Sequence, residues 1–334
     1  MEQTSPTKVY PCITDDQRKR ATAMATIPGR ARRWLAVAIL AASTHALAAT
    51  VPAVEGNAQR SATLVARYHA LKGELADNPF HRPLHMASNE GADSVSGEVL
   101  ALVNYPMADA AAALREPAQW CELMILHLNT KYCRPSPDGA TLRVNIGKKY
   151  DQPLDQAYRF DFAFHLAANT PDYLLVNLAA GAGPFGTSDY RIQLEAAPVE
   201  SGKTVIRFSY AYSFGTVGRW AMQAYLATAG RSKVGFTVTG RDDTGAPIYI
   251  GGTRGVVERN TMRYYLAVEA RLGALALAPA ARMEQSLHDW FASIERYPRQ
   301  LHEMERGEYL TMKRLEIARQ LDMRVASAAN RPGG

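Results

Sequence analysis

SGEVLALVNYPMADAAAALREPAQWC, residues 96 to 121, changes its hydrophobic period part-way along. Its first part, with Val95 ahead of it, reads as a strand that stops at Pro106, because proline has no N–H to give a sheet ladder. MADAAAALREPAQWCELMIL, residues 107 to 126, then takes a helical spacing and breaks near Glu116-Pro117. The residue before a proline is pushed out of the helical region, so this is two short helices rather than one. A strand that runs directly into a helix pair needs a sheet further on to pack against.

That sheet is visible after Gly139. In AYRFDFAFHLA (157–167), Tyr158, Phe160, Phe162, Phe164 and Leu166 fall on one face, and Arg159, Asp161 and His165 on the other. DYRIQLEA (189–196) sets Tyr190, Ile192 and Leu194 against Arg191, Gln193 and Glu195. TVIRFSYAYSF (204–214) sets Ile206, Phe208, Tyr210, Tyr212 and Phe214 against Arg207 and Ser209. MRYYLAVEARL (262–272) reads the same way, with Met262, Tyr264, Leu266 and Val268 opposite Arg263, Glu269 and Arg271. This alternation predicts five or six antiparallel strands with one wet face. EQSLHDWFASIERYPRQL (284–301) carries Leu287, Trp290, Phe291 and Ile294 as one helical stripe, the expected cover for the dry face. A charged helix follows over about 304 to 327. Upstream, Leu64, Tyr68, Leu71 and Leu75 predict a short surface-packed helix after a linker at 49–58.

In this order the elements resemble the helix-grip fold of the START and Bet v 1-like (SRPBCC) superfamily. The stretch 96–121 is similar to that family's opening, and the strand series and the helix around Trp290 extend the likeness over residues 90 to 300. Residues 49–89 and the tail 301–334 lie outside it. The resemblance implies an α+β fold, a curved antiparallel sheet wrapped around a long C-terminal helix, with extra helices at both ends. It also implies a cavity for an apolar ligand between sheet and helix, and it carries over no catalytic residue or cofactor.

RARRWLAVAILAASTHALAAT, residues 30 to 50, has a basic start, nine apolar residues from Trp34 to Ala42 and small residues at Ala46 and Ala48. It is expected to be a signal peptide cleaved after Ala48, since the apolar run is too short to span a bilayer. Met24 is the conventional initiator, and a retained anchor is the alternative. The exported chain is expected to be periplasmic or secreted. Of 38 basic and 32 acidic residues, seven and three precede position 49, so the remainder carries a net charge of +2. Its cations are scattered, with no footprint for nucleic acid.

Export leaves Cys121 and Cys133 as the two cysteines, Cys12 being removed. In an oxidising compartment a disulfide is expected; inert thiols, or metal ligation or nucleophilic chemistry with His127, are the alternatives. GAGPFG (181–186) has the letters of a dinucleotide fingerprint, but strand rather than helix follows it, so a loop is expected. His81 and His85 sit among prolines and are not expected to bind metal, and no cofactor is expected. Asp161, His165 and Arg207 are expected to be ion-paired on a solvated face.

These readings converge on a carrier for a lipid-like small molecule. Phe160, Phe162, Phe164, Phe208, Tyr210, Tyr212, His127 and Trp290 are its expected binding residues. Trp220, Met222 and Tyr225, in an almost wholly apolar segment, are the expected lid or membrane-surface contact. The alternatives are a cyclase- or hydrolase-type enzyme in the same cavity, which would need Asp161 and His165 to face inward, and a ligand-free structural protein.

Overall fold

The computed structural model describes residues 51–200, 202–228 and 230–329; the expected signal region and initiator lie outside the described residues. Two helices come first, α1 (Val51–Ala70) and α2 (Lys72–Ala76), so helix begins inside the stretch expected as a linker. The hairpin β1 (Leu84–Glu90) and β2 (Ser94–Val103) follows, then α3 (Met107–Leu114) and α4 (Pro117–Met124). Pro117 opens α4 at a position whose N–H no helix uses, and the side chains of Glu116 and Gln119 close a capping box there. Six more strands complete the sheet: β3 (Thr130–Pro135), β4 (Thr141–Ile146), β5 (Tyr158–Thr170), β6 (Tyr173–Ala182), β7 (Thr187–Glu200) and β8 (Lys203–Phe214). Beyond them lie α5 (Thr216–Ala227), the small hairpin β9 (Val238–Arg241) and β10 (Pro247–Tyr249), α6 (Gly252–Gly273), α7 (Pro279–Ile294), α8 (Pro298–Leu301) and α9 (Arg306–Ala329).

The main sheet has eight antiparallel strands in the order β1-β2-β8-β7-β6-β5-β4-β3, and α6 packs into its concave face against β1, β2 and β8. A strand, a helix pair, six strands and a long helix in this arrangement make a helix-grip, with β1 added at the edge. Gly97 on β2 marks the crossing: a side chain there would collide with Thr261 of α6.

The gripped helix corrects two expectations. Residues 262–272 are helix, not strand, and the helix around Trp290 is not the direct cover of the sheet. It is α7, which packs on the back of α6. With the sheet on one side and α7 on the other, α6 is buried nearly all round, so its polar residues gave no helical stripe. They are buried with partners: Arg263 pairs with Glu303, and Arg271 with Glu122.

The outer face of the sheet is only partly wet. Leu64, Tyr68 and Leu75 from α1 and α2 form a second core with Leu100, Tyr173 and Val205. Beyond it, Arg207 is held by Glu98 and Glu195. Arg207 is therefore not a neighbour of Asp161 and His165, because β7 and β6 stand between their strands. Asp161 is exposed and pairs with Arg159 and Arg143, and His165 is exposed. His81 sits in the turn before β1, and His85 on β1 pairs with Glu74.

The C-terminal helix is integral to the domain. On α9, Glu316 lies fully buried between Lys131 of β3 (2.7 Å) and Lys313 (2.8 Å). Lys313 also donates to the carbonyls of His127 (2.7 Å) and Thr130 (2.8 Å). Tyr309 adds a hydrogen bond to the Leu126 carbonyl (2.9 Å).

Candidate functional site

Inward-facing aromatics of the strands do not reach α6 everywhere, and the gap is a two-chambered cavity. The outer chamber holds about 400 Å³ and the inner about 170 Å³, with Pro184, Tyr190, Tyr210 and Asn260 common to both. Phe160 and Phe162 stack (5.5 Å between centroids), and Tyr190 meets Phe160 edge-on (5.0 Å) and Tyr212 face-on (5.3 Å). These contacts fix the wall, of which Tyr190, Tyr210, Tyr212 and Tyr264 are part. Tyr210, Tyr212 and Tyr264 make no hydrogen bond with any described residue, whereas Tyr190 donates to Thr187 (2.8 Å).

His127 closes the inner chamber. It sits in the loop from α4 to β3, and a Cys121–Cys133 disulfide joins the two ends of that loop, Cα to Cα 5.0 Å. The imidazole is only 5% exposed and stacks on Tyr264 (4.9 Å). Its Nδ1 accepts the Asn129 N–H (3.2 Å), which puts the ring proton on Nε2. Nε2 has no partner among the described residues. Burial, with Arg263, Lys313, Lys149 and Lys131 nearby, holds the imidazole well below its usual range, so it is neutral. His127 thus shows the cavity a donor and not a base. A buried donor without an acceptor is costly, and a ligand oxygen would remove the cost.

Neither chamber is lined by Asp, Glu, Lys or Arg. Burial pushes the pKa values of Tyr210, Tyr212 and Tyr264 above the ordinary phenol value, so they remain neutral phenols. The cavity can bury an apolar body and hydrogen-bond its polar end. It does not contain the inward-facing Asp161 and His165 that the enzyme alternative required, since both lie on the outer side of β5.

The roof comes from α5 and from the turn at Pro184–Gly186, whose Gly186 has φ +77°, so GAGPFG is a connection between two strands. The roof is close-fitting: a Cβ on Gly218 would stand 3.0 Å from the Gly186 carbonyl oxygen. Met222, Ala221 and Gly218 face the cavity. Trp220 points away from it and is 70% exposed, beside Val217 (69%) and Phe185 (76%). The side chain of Tyr225 lies outside the described residues.

Of the residues expected to bind ligand, Phe160, Phe162, Tyr210, Tyr212 and His127 come together at the cavity. Three do not line it. Phe164 packs against the core, and Phe208 is fully buried close to Tyr264 (6.2 Å). Trp290 is fully buried, stacks on Tyr309 (5.1 Å) and donates to the Arg263 carbonyl (2.9 Å). Asn260 and Tyr264 are lining residues not expected from the sequence: Tyr264 reads on the apolar face of a strand over 262–272, and Asn260 just ahead of it falls in no predicted element.

Among solved structures, those similar to this chain include a norcoclaurine synthase point mutant from Thalictrum flavum in complex with a transition state analogue. It is 16% identical, with 43% of this chain and 87% of that one covered, at a TM-score of 0.30. A START superfamily protein from Mycobacterium smegmatis is 13% identical over 43% and 92%, at 0.25. A conserved protein of unknown function from Enterococcus faecalis is 8% identical over 70% and 91%, at 0.29. The likeness is one of fold. No protein-family model matches the sequence, and no curated protein matches it. No helix among the described residues is long and apolar enough to cross a membrane.

Proposed function

We propose that the protein is an exported, periplasmic carrier that holds a lipid-like, amphipathic small molecule in this cavity. The observation that carries the reading is the unpartnered Nε2–H of His127 at the inner end of an aromatic, uncharged chamber. A ligand oxygen in the chamber would supply the acceptor that this donor lacks. Export is supported by residues 30–48 and by the disulfide, a bond suited to an oxidising compartment. Native mass spectrometry of protein taken from the periplasm is expected to show a small-molecule adduct that denaturation releases. A protein found only in the cytoplasm, or one that never carries an adduct and binds no apolar probe, would refute the carrier.

Phe185, Val217 and Trp220 stand together at the cavity mouth, and in this reading they touch the membrane during loading or delivery. Trp220→Asp is expected to weaken binding to lipid vesicles while moving the melting temperature by no more than a few degrees, because an exposed side chain contributes little to folding. A large drop in melting temperature would instead place Trp220 in the core.

A further inference from the structure

A second pocket, of about 270 Å³, opens where the α2–β1 loop, the segment ahead of β9, the end of β10 and the α7–α8 corner meet. It shares no lining residue with the cavity. Three aromatic rings that fix one another form its apolar wall. Phe80 lies 5.7 Å from Phe236, and Tyr297 meets Phe236 edge-on (5.5 Å) while donating its hydroxyl to the Phe80 carbonyl (2.9 Å). Phe236 is positioned through its backbone as well, because the fully buried carboxylate of Glu258 accepts the N–H groups of Phe236 (2.6 Å) and Thr237 (2.9 Å). Polar groups without protein partners line the same pocket. Gln300 is 7% exposed, and its side-chain amide, two donors and an acceptor, makes no hydrogen bond with any described residue. A buried amide left unpaired costs stability that a ligand would return. Arg296 and Arg299 are exposed, have no ion pair among the described residues, and face no Asp or Glu in the pocket lining. Arg299 lies over the Tyr249 ring (5.2 Å to the centroid), a contact that steadies the guanidinium and supplies no counter-charge. Asp242, in the β9–β10 turn, lies in the field of Arg299 but makes no ion pair with it; its Oδ1 accepts the Thr244 and Ala246 N–H groups instead.

We propose that this pocket is a second binding site, separate from the cavity, for a small aromatic carboxylic acid. The ring packs on Phe80, Phe236 and Tyr297, the carboxylate accepts from Arg296 and Arg299, and a ring N–H or hydroxyl meets the Gln300 amide. Each part of that ligand answers one feature of the pocket. A carboxylate matches a guanidinium because both are planar and can share two parallel hydrogen bonds, which are stronger for being charged. A neutral aromatic molecule would fill the apolar wall and leave both guanidiniums without a counter-charge. A bare inorganic anion would meet the guanidiniums and leave the rings and the amide unused. Aromatic walls with a few convergent polar groups are the usual make-up of a small-molecule site, and this volume suits one or two fused rings.

The test is isothermal titration calorimetry of the full exported chain at neutral pH with indole-3-acetate and its neutral analogue indole-3-acetamide. The acid is expected to bind at least about tenfold more tightly than the amide. Arg296→Gln combined with Arg299→Gln, two changes at exposed positions, is expected to abolish that preference. Gln300→Leu is expected to weaken indole-3-acetate several-fold and to change little for naphthalene-1-acetate, which has no ring N–H. Equal affinity for the acid and its amide, or no binding of either, overturns the inference. So does a preference for the acid that survives the double arginine substitution, since the acid would then be bound elsewhere. A folded Gln300→Leu variant that binds indole-3-acetate as tightly as the parent overturns it too; if that variant does not fold, the arginine substitutions decide. None of these results bears on the carrier reading, which concerns the other cavity.

Discussion

Substituting leucine for Glu316 is expected to destabilise the protein by about 3–5 kcal/mol. The carboxylate has no solvent exposure and holds two lysines that have none either. Without it, Lys131 and Lys313 would be left as neighbouring ammonium groups inside the protein. Burial already pulls Lys313 down to about 8, against the favourable pull of Glu316. A lysine depressed in the folded state penalises folding fully below its folded pKa, and the penalty lifts as pH rises towards its ordinary value of 10.5. The variant should therefore regain stability between neutral pH and about pH 9, where the unfolded lysine holds its proton and the folded one releases it. Urea unfolding at the two pH values measures both effects. A loss below about 1 kcal/mol would show that water reaches the cluster. Replacing all three residues together by apolar ones of similar size should cost far less than Glu316→Leu alone, because it leaves no charge behind.

Trp290→Ala is expected to cost about 3–5 kcal/mol, the usual price of emptying a large aromatic site in a filled core. The indole is fully buried between α6 and α9, with its N–H on the Arg263 carbonyl. Phe162 is equally aromatic and nearly as buried, yet one side of it faces the cavity. It has fewer contacts to lose, so Phe162→Ala should cost clearly less than Trp290→Ala and should change affinity for an apolar probe. If the two cost the same in urea unfolding and probe binding does not change, the sheet is packed shut and the cavity is no binding site.

The parts of the fold with one wet and one dry side were readable from the sequence. Strands β5, β7 and β8 have it, and their alternation placed Phe160, Phe162, Tyr210 and Tyr212 on the inner face. The proline breaks at 106 and 117 placed α3 and α4 correctly. Burial on every side removed the signal elsewhere. In α6, Arg263 and Arg271 are buried, so polar and apolar residues over 262–272 mixed into a false period of two that put Tyr264 on a strand face, and Asn260 just ahead of it carried no signal. The stripe of Leu287, Trp290, Phe291 and Ile294 is a true helix face, but a stripe does not say what it covers. His127 could be singled out by type alone. That its Nε2 is a donor without an acceptor depends on Asn129 occupying Nδ1, a contact fixed by loop geometry rather than by residue pattern.

The loop that carries His127 is anchored in two ways that differ greatly in distance along the chain. Its cysteines are 12 residues apart, so that tie is available as soon as β3 exists. Its carbonyls at Leu126, His127 and Thr130 are held by Tyr309 and Lys313, more than 180 residues further on. A chain that has emerged as far as α8 has every strand, the gripped helix and the disulfide, but not the hydrogen bonds of Tyr309 and Lys313 to this loop. Those last ties to the polar end of the cavity can form only once α9 has been made.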